Sequence, residues 1–257
     1  MNQLEYDPGP PAAIATHLAA LPGYGSFKQF FWYDWGPIFY RGRLDRTAKV
    51  ICIASDPGPT ERIAARTLVG DAGQRVQGFL SKIGLSRSYV CLNAYAHAVF
   101  PSRADQARPM LSEPTHLAWR NTLYDLVKGS SLQAIIAFGK QAQVAVDLWP
   151  SAADVPVIKI PHPSSRDAAA LVTQWHAAVT RLRGIVTPDD DAPTNLPNYG
   201  NKLVEADYTP IPHRDLPFGA PSFLGDDAWL RASDEFSSVI RPPGDLRTLI
   251  WRAPRSA

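Results

Sequence analysis

The segment Lys49-Val-Ile-Cys-Ile-Ala-Ser-Asp-Pro-Gly-Pro-Thr-Glu61 passes in one step from an apolar run to a polar loop punctuated by proline and glycine. Its apolar part, from Val50 to Ala54, is rich in β-branched residues and has no polar interruption. That composition fits a strand buried on both faces of a parallel sheet. Ligands of open α/β sheets bind beyond the carboxyl ends of such strands, where this segment presents Ser55, Asp56, Pro57 and Gly58. Asp56 is therefore the first candidate for chemistry.

Working outward, Tyr89-Val-Cys-Leu-Asn93, Ala134-Ile-Ile-Ala-Phe138 and Val157-Ile-Lys-Ile160 read as further strands. Helical patterns alternate with them. Val76, Phe79, Leu80 and Ile83 follow the i, i+3, i+4, i+7 spacing and end at Gly84, and Leu171, Trp175, Ala178 and Leu182 share one face of a later helix. Further helices are expected over residues 11–21, over 114–128 and from Gly139 to about Trp149. The alternation predicts a three-layer α/β/α sandwich with a central four-stranded parallel sheet. Residues 45–186 make up this domain. Residues 1–44 supply a helix and an aromatic segment packing on the core, and 187–257 form a proline-rich extension wrapping it. Phe218, Phe223, Leu224, Trp229 and Trp251 make that extension too apolar for a disordered tail.

A net charge of +2 over 257 residues neither demands nor excludes a nucleic-acid partner. Cys52 and Cys91 both lie within strand-like runs and read as core residues rather than metal ligands. No apolar stretch approaches the ~20 residues of a membrane span, and the first residues lack a signal-peptide pattern. A cytoplasmic protein without membrane contact is expected. Eight aromatic residues crowd between Phe27 and Tyr40, close to Arg41 and Arg43. Most are expected to pack inward, although such a cluster can also stack exposed bases.

Asp56, Asn93 and His162 sit at the ends of three different strands, and a parallel sheet gathers such ends on one edge. A carboxylate, an amide and an imidazole then converge on one small ligand. In this order and on these elements the chain resembles the uracil-DNA glycosylase superfamily over roughly residues 48–186. Ala54-Ser-Asp-Pro-Gly58 is similar to its first motif, with the catalytic acid, and Val69-Gly-Asp-Ala-Gly73 to a downstream loop of some branches. Leu92-Asn93 is similar to the strand end that reads the flipped base, and Pro161-His-Pro-Ser164 to the second motif, with the catalytic histidine.

The resemblance implies a monofunctional DNA glycosylase without cofactor, in which Asp56 and His162 are catalytic. Asn93, Gly58, Leu68 and Ser55 contact the base, and Ser164, Ser165, Arg166 and Pro57 contact DNA. Arg166 stands where relatives insert a leucine wedge. Branches with an iron–sulfur cluster use four cysteines and this chain has two, so no cluster is expected. Where the uracil-specific branch has a tyrosine that blocks carbon 5 of the pyrimidine, this chain has Gly58, and Leu68 replaces a stacking aromatic. Both changes imply a roomier pocket for uracil or a 5-modified pyrimidine, including hydroxymethylated or glucosylated cytosines of phage DNA. Lys49, Arg62, Arg66, Arg75, Arg103 and Arg108 are candidates for a phosphate track. A non-catalytic binder of modified or abasic DNA is the alternative.

Overall fold

The computed structural model describes residues 6–217. Its centre is a five-stranded sheet of β1 (Tyr40–Gly42), β2 (Val50–Ala54), β3 (Tyr89–Asn93), β4 (Ala134–Phe138) and β5 (Val157–Ile160), in the order β1-β3-β2-β4-β5. The four expected strands pair in parallel. A fifth, β1, joins β3 antiparallel at the edge. It comes from the aromatic segment, and three residues are too few to announce a strand by pattern.

Every residue of β2, β3 and β4 is buried, as uninterrupted apolar runs require, and the alternation of side chains divides them between two cores. On one face Val50, Cys52, Tyr89, Cys91, Ile136 and Phe138 meet α3 (Asp71–Lys82) and α7 (Ala168–Leu182) through Phe79, Leu80, Trp175 and Val179. On the other, Ile51, Ile53, Val90, Leu92 and Ile135 meet α1 (Ala12–Ala19), α5 (Pro114–Val127) and α6 (Lys140–Asp147). This is the three-layer sandwich. Each large aliphatic or aromatic side chain so buried contributes about 1.5–3 kcal/mol. Two short helices, α2 (Pro59–Ala64) and α4 (Ala104–Ala107), lie within the connections.

Cys52 and Cys91 sit opposite one another in the parallel ladder, fully buried. Residues 187–217 run back over the domain as a polar clasp. Asp189 accepts from the backbone N–H groups of Ser86, Arg87 and Ser88 and pairs with Lys49 at 2.9 Å. Asp207 pairs with Lys82 at 3.0 Å, and Asp215 with Arg41 at 2.7 Å. Phe218, Phe223, Leu224, Trp229 and Trp251 lie outside the described residues. Among those described, no helix is long and apolar enough to cross a membrane.

Strand order sets the position of the site. From β2 the chain crosses to β3 on one side, then to β4 on the other, so the connections part at the carboxyl end of β2. Such a switch point opens a crevice, and Asp56 stands two residues beyond β2.

Candidate active site

The β2–β3 pairing continues past both strands, with the N–H of Ala94 bonded to Ala54 O and that of Tyr95 to Ser55 O. Asp56 and Asn93 are therefore neighbours on the sheet edge. Asp56 Oδ2 accepts from the backbone N–H of Val99 at 2.9 Å, and the Ser55 hydroxyl also bonds the carboxylate. Asp56 sits in a recess, walled by protein yet partly open to solvent. Burial pushes its pKa up to about 6, overcoming the Ser55 and Val99 hydrogen bonds that lower it, with the nearby Glu61 charge adding to the rise. At pH 7 it is ionised but poorly solvated.

Asn93 is buried, and its Nδ2 lies 3.4 Å from Thr67 Oγ1. Its Oδ1 is buried with no hydrogen-bond partner among the described residues. Such an orphan acceptor costs about 1–3 kcal/mol unless a ligand supplies a donor. Thr67 is itself fixed by Arg41, whose Nε donates to Thr67 O at 3.1 Å.

His162 follows β5, two strands from β2, or roughly 10 Å at the ~4.8 Å strand spacing. Between them, at the end of β4, stands Gly139 with φ +83. A Cβ there would lie 2.8 Å from His162 Cβ, so the absent side chain is what lets His162 lie over the end of β4. Both neighbouring carbonyls are tied: Trp175 Nε1 donates to Pro161 O at 3.0 Å, and an Arg75 guanidinium N–H donates to Pro163 O at 2.5 Å. The Ser164 backbone N–H donates to His162 Nδ1 at 3.2 Å. The proton of a neutral ring therefore sits on Nε2, ready to donate. Burial lowers the pKa to about 4, so the ring is neutral at pH 7.

Glu61 organises the opposite wall, a role for which the sequence carries no motif. Buried in α2, it accepts from Gly58 N–H at 3.0 Å through one oxygen and from Val69 and Gly70 N–H at 2.9 and 3.2 Å through the other. A Cβ at Gly58 would come within 2.8 Å of the Glu61 carboxylate, so glycine here serves this tie. Leu68 is buried in the main core with φ +55. A Cβ on Gly73 would collide with its carbonyl at 1.8 Å, which accounts for that glycine of the Val69–Gly73 motif.

The expected DNA contacts divide. Ser164 and Arg166 are exposed and Ser165 half-buried at the approach to α7. Pro57 is buried within the loop after β2. Two of the candidate cations are corrected: Lys49 is bound to Asp189 and to the Thr187 and Pro188 carbonyls, and Arg66 is buried against Asp7 at 2.5 Å. Structural ion pairs claimed both. Arg62 and Arg103 are exposed. His97 is a packed core histidine against Tyr24 and Tyr33.

A carboxylate, an orphan carbonyl oxygen and a neutral imidazole N–H thus line one sheet edge. The family profile described as Uracil DNA glycosylase superfamily matches residues 41–179, more than half of the chain and all five strands save the first residue of β1. The chain belongs to the uracil DNA glycosylase superfamily, whose members are in general DNA glycosylases. No curated protein matches it in a sequence comparison.

Proposed function

We propose that this chain is an active monofunctional DNA glycosylase that hydrolyses the N-glycosidic bond of a flipped-out uracil or 5-modified pyrimidine, leaving an abasic site. The observation that carries the reading is the pairing of an ionised, poorly solvated Asp56 with a neutral His162 whose Nε2–H is free to donate. As the bond between C1′ and the base nitrogen breaks, its electron pair leaves with the base and positive charge grows on the sugar. Asp56 stabilises that charge and orients the water that adds to C1′, and the proton this water gives up neutralises the departed base anion. His162 Nε2–H stabilises the negative charge on O2 of the leaving base. Donors and charges preorganised in this way supply roughly 10²–10³ each in rate.

A duplex hides the glycosidic bond, so the base is read only after it has left the stack. Asn93 Oδ1 accepts from N3–H of uracil or from the N4 amino group of cytosine. Gly58 stands where the resemblance puts a tyrosine that blocks carbon 5, and its lack of a side chain supports hydroxymethylated or glucosylated cytosine of phage DNA as a substrate and host defence as the setting. Residues 45–186 carry this chemistry in the cytoplasm. Ser55 and Leu68 border the base, and Ser164, Ser165 and Arg166 meet the DNA backbone.

The test is mass spectrometric detection of free base from DNAs containing uracil, cytosine, hydroxymethylcytosine or glucosylated hydroxymethylcytosine. One base should appear, and Asp56→Asn and His162→Ala should each slow its release at least 100-fold. DNA binding without release from any of the four DNAs would leave a recognition module in place of an enzyme.

A further inference from the structure

We propose that Trp32, stacked on Trp35 and packed at a tilt against Phe100, is a platform for an unpaired nucleobase of the substrate strand beside the flipped nucleotide. The inference rests on the glycosylase reading for its substrate and on the aromatic segment for its geometry. Most aromatics of that segment do pack inward: Tyr24 and Phe31 are buried, and Phe27, Phe30 and Tyr33 pack against the same core. Trp32 does not. It is 43% exposed, among the few large apolar side chains so exposed in the described residues.

Its position is nonetheless fixed. The Trp32 ring lies 5.3 Å from Trp35 with planes 17° apart, and 4.3 Å from Phe100. The backbone N–H of Trp32 donates to Ala98 O at 2.8 Å, that of Phe100 donates to Phe30 O at 3.0 Å, and Phe31 bridges Val99 between them. Val99 is also the residue whose N–H holds Asp56. The exposed Trp32, the half-buried Phe100 and the proposed catalytic carboxylate therefore hang from one short ribbon, with Val99 and Phe100 only ~3.8 Å apart at their Cα atoms. A strand that delivers a nucleotide to Asp56 passes this ribbon.

The surrounding charge suits a polyanion. Arg62 lies over the Trp35 ring at 5.4 Å, Lys28 lies over Tyr33 at 4.6 Å, and Arg103 follows Phe100 in an exposed turn. None of these three cations makes an ion pair among the described residues. Asp34 is the one acid between Tyr24 and Gly36. A base laid on this surface continues an existing aromatic stack, while the cations meet the phosphates on either side. Single-strand binders use the same pairing of stacking ring and basic track. A base in a duplex has both faces covered by its neighbours, so the platform favours single-stranded or locally melted DNA.

The test measures binding of an unmodified labelled oligonucleotide, single-stranded or as a duplex, by fluorescence anisotropy over a series of salt concentrations. Trp32→Ala should weaken single-strand binding by roughly 5- to 150-fold. It should change duplex binding less than about twofold and leave the salt slope as it is, since no phosphate contact is removed. Trp32→Phe should restore most of the affinity, and both variants should stay fully folded at the assay temperature, as thermal melts would show, because the ring lies at the surface outside the buried cores. Unchanged single-strand affinity, an equal loss on duplex, or a changed salt slope would each overturn the proposal. Nothing is excised from this oligonucleotide, so the result stands apart from base release: a platform with no release sinks the enzyme, and release with no effect of Trp32→Ala sinks the platform.

Discussion

Asp56 carries opposing demands at a single residue. An anion with little solvent around it is what a developing oxocarbenium ion attracts most strongly, and it is also what folding disfavours. Its pKa rises from 3.8 to about 6, so the folded protein holds the proton more tightly than the unfolded chain. Stability linked to this group therefore falls as pH rises from about 4 to 6. Asp56→Asn keeps an oxygen to accept the Val99 N–H and removes the charge. We expect it to abolish base release and to stabilise the protein at pH 7.5 by ~1–3 kcal/mol, since each pKa unit corresponds to about 1.4 kcal/mol and the recess is partly open. The gain should shrink below pH 6 and vanish near pH 4, a pattern that paired thermal melts would show. In the unsubstituted protein the rate of the proposed base release should rise with pH through about 6 as Asp56 ionises. His162, already neutral above about 4, should add no second limb between pH 5 and 8.

At the scale of elements, the site depends on loops fixed by groups far from them in sequence. Glu61 of α2 gathers the N–H groups of Gly58, Val69 and Gly70, and so locks the loop after β2 to the turn before α3. Glu61→Ala should destabilise the protein by ~2–4 kcal/mol, the cost of leaving buried donors unpaired. It should also lower kcat more than Asp56's own hydrogen bonds would suggest, because Thr67, which meets Asn93 Nδ2 at 3.4 Å, lies in the loosened turn. Urea unfolding and single-turnover release of base measure the two effects. The strands of this edge were legible because an apolar run buried on both faces has no other economical home, and Asp56, Asn93 and His162 sit at their ends. Glu61, the Val99 N–H and the approach of His162 to Gly139 were not, since each acts through a contact that exists only once the sheet has formed. Strand β1 escaped for a different reason: three residues of an aromatic-rich segment show no period. Gly58 shows the limit most clearly, because its absent side chain was visible in the sequence and the carboxylate filling part of that space was not.

Across the whole molecule, the polar clasp of residues 187–217 reaches the site through Arg41. That side chain is fully buried, and its guanidinium bonds Asp215, Gln77 Oε1, Thr67 O and Cys91 Sγ. Asp215 also accepts from the Tyr89 hydroxyl at 2.8 Å. A buried guanidinium is tolerable only while its partners are complete, and Asp215 is the acid that pairs with it. Removing that acid leaves a charge in the core beside β3 and releases the group that fixes Thr67 against Asn93. Asp215→Ala should therefore cost ~3–5 kcal/mol, whereas Arg41→Met combined with Asp215→Leu, which removes both charges, should cost markedly less. Base release distinguishes the two roles of the pair. If the clasp only stabilises, the double variant regains both stability and rate. If Arg41 also positions the base-reading edge, the double variant folds well yet keeps a raised KM, because Thr67 O has lost its donor and Asn93 its backing. We expect the second outcome, read from urea unfolding and steady-state kinetics on the same preparations.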